Sequence, residues 1–132
     1  MEANDARARS VQRIILAEDD DDMRRFLVKA LEKAGYDVVS FGNGLEAYER
    51  LKEEPFTLLL TDIVMPEMDG LALADRALAT VPRLRVVLMT GHAPELTAQL
   101  DLRASPLPVL LKPFTAEQLL GKVRDTLADR RH

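Results

Sequence analysis

The sequence predicts an α/β protein, a doubly wound five-stranded parallel sheet with helices on both faces. Two observations carry this. Short aliphatic runs, too short for helices, recur along the chain. Between them lie stretches whose apolar residues step by three and four, the spacing of an amphipathic helix. Strands apolar enough to be buried on both faces, alternating with such helices, imply a parallel sheet covered on both sides. With 132 residues the chain is long enough for one such domain.

Arg13 to Ala17 (RIILA) is the first expected strand. The first helix places Met23, Phe26, Leu27, Ala30, Leu31 and Ala34 on one face, and Gly35 stops it. Tyr36 to Phe41 is the second strand. Asn43 caps the second helix, with Ala47, Tyr48 and Leu51 inward, and Pro55 ends that region. Thr57 to Thr61 is the third strand. Gly70 opens the third helix, with Leu71, Ala74 and Leu78 facing in, and Pro82 ends it. Arg85 to Met89 is the fourth strand. A short helix is expected from Pro94 to near Leu102, and Val109 to Leu111 is the fifth strand. Thr115 and Gln118 form a capping box for a last helix facing in through Leu119, Leu120, Val123 and Leu127. Five βα units with right-handed crossovers favour the flavodoxin-like strand order 2-1-3-4-5.

Composition narrows the function. The net charge is −4 and the isoelectric point about 5.2, which argues against a nucleic-acid partner and a polybasic membrane anchor. The chain has no Cys, so disulfides, thiolate metal sites and Cys nucleophiles are excluded. No apolar run approaches the ~20 residues of a membrane span. The first ten residues are polar and lack a signal-peptide core, so they read as a floppy tail and the expected location is cytoplasmic.

In an open α/β sheet, ligands bind beyond the carboxyl ends of the strands. Strand one is expected to end in Glu18 and Asp19, strand three in Asp62, strand four in Thr90 and strand five in Lys112. These strands are neighbours in the expected order, so their ends converge. Clustered carboxylates repel by about 4 kcal/mol per pair at ~4 Å and an effective dielectric of about 20, and so require a cation. Oxygen ligands with room for water suit Mg²⁺. A carboxylate nucleophile, a metal, a hydroxyl and an ammonium are the parts of phosphoryl transfer. Each residue alone has an ordinary explanation: Asp62 a turn, Lys112 a surface charge, Asp20 to Asp22 a helix cap and solvated first turn. The coincidence of five such residues at the correct strand ends is what points to a site. Glu18 to Asp22 would repel the phosphate of a flavodoxin cofactor, and Asp62-Ile63-Val64 lacks the D-x-D of a haloacid-dehalogenase-like phosphatase.

The strings LAEDDDDMRRFL, LLLTDIVMPEMDG, VVLMTG and LLKPF resemble the receiver domain of bacterial response regulators, over Arg13 to about Leu127. The resemblance implies that Asp62 is the phosphoacceptor and that Glu18, Asp19, Asp62 and the backbone carbonyl of Val64 serve Mg²⁺. It implies that Thr90 is the switch hydroxyl, that Lys112 pairs with the phosphoryl group, and that the Lys112–Pro113 bond is cis. It also implies a phosphoprotein of a two-component system, catalysing only its own phosphorylation and dephosphorylation, with residues 1–11 as a tail, 12–129 as the receiver domain and no effector domain. The expected donor is a histidine kinase or histidine phosphotransfer protein. The first half is most similar to CpdR-type regulators of alphaproteobacteria, which implies a protein–protein switch acting on ClpX of the ClpXP protease. The alternative is a phosphate shuttle or sink in a phosphorelay. Three positions depart from the pattern: Val109 replaces the usual switch Tyr or Phe, Gly91 and His92 follow Thr90, and Ala93 to Pro108 diverges from the CpdR-type branch.

Overall fold

The five aliphatic runs assemble into one parallel sheet. In this computed structural model, residues 11–91 and 107–129 are described. Strands β1 (Arg13–Ala17), β2 (Asp37–Phe41), β3 (Leu58–Asp62), β4 (Arg85–Thr90) and β5 (Val109–Leu111) lie in the order 2-1-3-4-5. Ile15 on β1 sits beside Val39 on β2 and Leu59 on β3. Asp62 sits beside Met89. Helices α1 (Asp21–Lys33), α2 (Gly44–Glu53), α3 (Gly70–Thr80) and α4 (Ala116–Ala128) cover the sheet.

Strand side chains alternate between two apolar layers. Ile15, Leu59, Val86 and Leu88 pack with Ala47 and Leu51 of α2 and Leu73, Ala74 and Ala77 of α3. Ile14, Leu16, Leu58, Leu60, Val87 and Met89 pack with Leu27 and Leu31 of α1 and Leu119 and Val123 of α4. Each fully buried aliphatic side chain contributes about 1.5–3 kcal/mol, so β1, β3 and β4 form the rigid centre.

Helix ends follow the expected chemistry. Asn43, Asp69 and Thr115 cap α2, α3 and α4, and Thr115 and Gln118 complete the capping box. Asp20 caps α1 by accepting from the Met23 N–H. At the other end of α1, Gly35 N–H donates to Glu32 O and Tyr36 N–H to Leu31 O. This paired closure requires a left-handed residue, and Gly35 has φ +100°.

Several expected details differ. Tyr36 belongs to the closure of α1, so β2 starts at Asp37. β3 and β4 each run one residue further than expected, to Asp62 and Thr90, because the β3–β4 ladder extends to the Asp62–Met89 pair and the β4–β5 ladder to the Thr90–Leu111 pair. β3 also begins one residue later, at Leu58. β1 stops at Ala17, leaving Glu18 and Asp19 just beyond it. Phe26 is 38% exposed rather than inward, since it lies about 100° around α1 from Leu27. Ala34 is exposed because it caps the helix end. Leu73 and Ala77 join the core unannounced, since α3 is apolar over most of its circumference. The expected Pro94 to Leu102 helix, His92 and the Met1 to Ser10 tail lie outside the described residues.

Gly70 opens α3 against the end of β3. Its N–H donates to Ile63 O at 2.8 Å. A Cβ at this position would lie 2.2 Å from Asp62 O and 2.8 Å from Ile63 Cα, both backbone atoms. Helix propensity alone would favour Ala over Gly by ~1 kcal/mol. The collision outweighs it, and Gly70→Ala should lower stability by roughly 1–3 kcal/mol in urea unfolding. An unchanged or raised midpoint would show that the two segments can separate without cost.

Candidate functional site

The carboxyl ends of β1, β3, β4 and β5 bring the expected residues together. Glu18 follows β1 and continues its pairing, its N–H donating to Phe41 O at 3.0 Å. Its side chain is fully buried. One carboxylate oxygen accepts from the Asp20 N–H at 3.0 Å, and the other accepts from Lys112 Nζ at 3.0 Å. The same ammonium lies 3.3 Å from Asp62 Oδ2. Lys112 is also fixed through its backbone, its N–H donating to Thr90 O at 2.8 Å. Asp62 and Thr90 are buried at the ends of β3 and β4, at 8% and 1% exposure. Asp19 faces solvent.

The carboxylates of Glu18, Asp19 and Asp62 each place an oxygen within 4.8 Å of the others. At that range each pair repels by about 3–4 kcal/mol at an effective dielectric of about 20. One ammonium against three carboxylates leaves the cluster negative. The donors are all oxygens, and Asp19 lies on the open side, which suits a Mg²⁺ ion that retains water. Both oxygens of Glu18 and Oδ2 of Asp62 already accept hydrogen bonds within the protein, whereas Asp19 faces solvent. Val64, whose backbone carbonyl the resemblance adds to the ligand set, lies two residues beyond Asp62 and is 53% exposed.

The segment after Asp62 is tightly held. Thr61 is buried and its hydroxyl donates to Asp62 O at 2.9 Å. Ile63 N–H donates to Met89 O at 2.9 Å. Glu67 takes φ 70°, with Met68 N–H donating to Pro66 O across it. A non-glycine residue in that region costs on the order of 1–3 kcal/mol. The Lys112–Pro113 peptide is cis.

Sequence reasoning missed one residue beside the site. Arg24 Nη1 donates to the backbone carbonyl of Glu18 at 2.7 Å, while Nη2 pairs with the Asp21 carboxylate. The only signal available was a cation one turn into the helix that the acidic run begins.

Burial raises the Glu18 carboxyl above its ordinary value of 4.5. The Asp20 N–H and Lys112 oppose the shift, while Asp62 adds to it. Burial would lower the Lys112 ammonium, but its hydrogen bond to Glu18 and the Asp62 charge raise it above 10.5 overall. Folded Glu18 therefore binds its proton more tightly than unfolded Glu18, and its ionisation opposes folding at neutral pH. As pH falls through the raised value towards 4.5, metal-free wild type should gain stability relative to Glu18→Gln. The Lys112 contribution is present below 10.5 and is lost only as pH rises through its raised value. Urea unfolding of both proteins in EDTA at pH 7, 6 and 5 measures the difference. A constant difference would contradict the raised value.

Comparison with known proteins agrees with this geometry. The family model described as "Response regulator receiver domain" matches residues 14–124. The chain is 55% identical over 122 residues to the response regulator receiver protein CpdR of Brucella abortus, covering 89% of this chain and 98% of that protein. It is 36% identical over 118 residues to the C4-dicarboxylate transport transcriptional regulatory protein DctD of Rhizobium meliloti, covering 89% of this chain but 26% of that protein. A crystal structure of a response regulator receiver protein from Sinorhizobium medicae superposes with a TM-score of 0.83 at 29% identity, covering 92% of this chain and 98% of that one. With its fold, its strand-end cluster and its match over most of its length, the chain belongs to the response regulator receiver domain family of two-component systems.

Proposed function

We propose that the chain is a cytoplasmic phosphorylation switch that accepts a phosphoryl group on Asp62 from a histidine kinase or histidine phosphotransfer protein. The observation that carries this reading is the Lys112 ammonium, set 3.0 Å from Glu18 and 3.3 Å from Asp62 at the head of the sheet. Mg²⁺ held by Asp19, Asp62 and the Val64 carbonyl, with Glu18 supporting from outside, would offset the charge of the incoming phosphoryl oxygens. An Asp62 carboxylate oxygen attacks the phosphorus of phosphohistidine. The O–P bond forms, the P–N bond breaks and the imidazole leaves with its electron pair.

The product replaces a carboxylate charge by an acyl phosphate carrying about −1.5 to −2 at neutral pH. Lys112 then faces a stronger anion than Glu18, and the Thr90 hydroxyl donates to the phosphoryl oxygens. Pulling β4 and β5 towards β3 through these two residues biases the domain between two arrangements. The output is a protein–protein contact. Similarity to CpdR-type regulators points that contact to ClpX.

Incubation with Mg²⁺ and acetyl phosphate or phosphoramidate should add one phosphoryl group by intact mass. Asp62→Ala or EDTA should abolish the adduct, and Lys112→Met should slow its formation by roughly 10²-fold. No adduct on wild type, or one surviving Asp62→Ala, would overturn the assignment. A pull-down comparing wild type with Asp62→Ala addresses output. A switch should capture a further protein, ClpX in this proposal, in an Asp62-dependent manner. Capture of kinases and phosphotransfer proteins alone would instead indicate a phosphate shuttle or sink.

A further inference from the structure

We infer that Arg24 is a positioning residue for the cation site, holding the turn that carries Asp19 from outside the carboxylate cluster. The inference rests on the reading of Asp19 and Asp62 as Mg²⁺ ligands. Five acidic residues, Glu18 to Asp22, follow β1 in succession. Four of their side chains are engaged. Glu18 accepts from Asp20 N–H and Lys112, Asp20 caps Met23, Asp21 pairs with Arg24, and Asp22 pairs with Arg25. Asp19 alone in this run has no partner among the described residues, and its carboxylate belongs to the three-carboxylate cluster.

The two arms of Arg24 span the turn on either side of Asp19. Nη1 reaches the Glu18 carbonyl at 2.7 Å, and Nη2 reaches Asp21 at the first turn of α1. The peptide is planar, so fixing the Glu18 carbonyl also fixes the Asp19 N–H and the direction in which Asp19 leaves the strand. The Arg24 backbone N–H donates to Asp20 O at 2.8 Å, tying the same residue to the turn from the helix side. The Arg24 side chain is only 23% exposed, and it lies beside Gly42, where a Cβ would stand 3.4 Å from Nη1. A charge-assisted, partly dehydrated bond of this kind is stronger than an exposed ion pair.

Charge and tethering predict opposite signs. As a nearby cation, Arg24 would repel Mg²⁺, and its removal would tighten binding. As a tether, it preorganises Asp19, and its removal would weaken binding. Calorimetric titration of MgCl₂ into the full chain separates the two. Arg24→Met should weaken Mg²⁺ binding by about tenfold, within the range for supporting contacts of metal sites. Arg24→Lys keeps the charge and one donor, and should fall between Arg24→Met and wild type. Phosphorylation by acetyl phosphate should show the loss in its Mg²⁺ dependence, with saturating Mg²⁺ restoring the maximal rate. A folded Arg24→Met protein that binds Mg²⁺ within twofold of wild type, or more tightly, would overturn the inference. So would a loss of maximal rate that Mg²⁺ does not restore. Should Arg24→Met fail to fold, Arg24→Lys carries the comparison, with severalfold weakening supporting the tether and unchanged affinity overturning it. Wild type that binds Mg²⁺ and is phosphorylated while the Arg24 variants match it defeats this inference alone. Wild type that does neither defeats the site assignment as well.

Discussion

A single ammonium, Lys112 Nζ, lies between the carboxylates of Glu18 and Asp62 and joins the chain ends of three strands. Without that cation two neighbouring buried carboxylates would be left uncompensated. Lys112 also reaches β4 through its backbone N–H, so β1, β3, β4 and β5 all meet at one residue. β5 has only three residues. The ion pairs therefore add to a short ladder, and any new anion at Asp62 competes for the group that helps hold this edge.

Much of this arrangement was legible because polar residues terminate unusually apolar runs. Asp62, Thr90 and Lys112 stand out against LLLT, VVLM and VLL, and two-sided burial of the first two runs implies the parallel sheet that brings their ends together. The different fates of Glu18 and Asp19 were not legible. Both stand in one acidic run, yet pairing of Glu18 with Phe41 draws the first inward and leaves the second in solvent. Arg24 was hidden for a related reason. Its decisive partner is a backbone carbonyl, which carries no side-chain signature. The exposed Phe26 shows the opposite error, where a step of three or four residues was read as a wider apolar face than the sheet can cover.

The loop after β3 combines close packing with strain. Gly70 brings the start of α3 against Asp62 O, and Glu67 occupies a left-handed conformation two residues after the buried Met65. Apolar contacts of Met65, Met68 and Leu71 with the core hold this geometry in place. Core packing and the geometry of this loop are thus supplied by the same segment.

The bond from the Thr61 hydroxyl to Asp62 O gives the Asp62 side chain a fixed origin. With Gly70 close on one side and Ile63 paired to Met89 on the other, the main chain at Asp62 has little freedom left to lose. On the proposed function, a phosphohistidine donor would meet a carboxylate whose ordering entropy was spent when the protein folded. On that reading, part of the alignment that transfer requires would be set before the donor arrives.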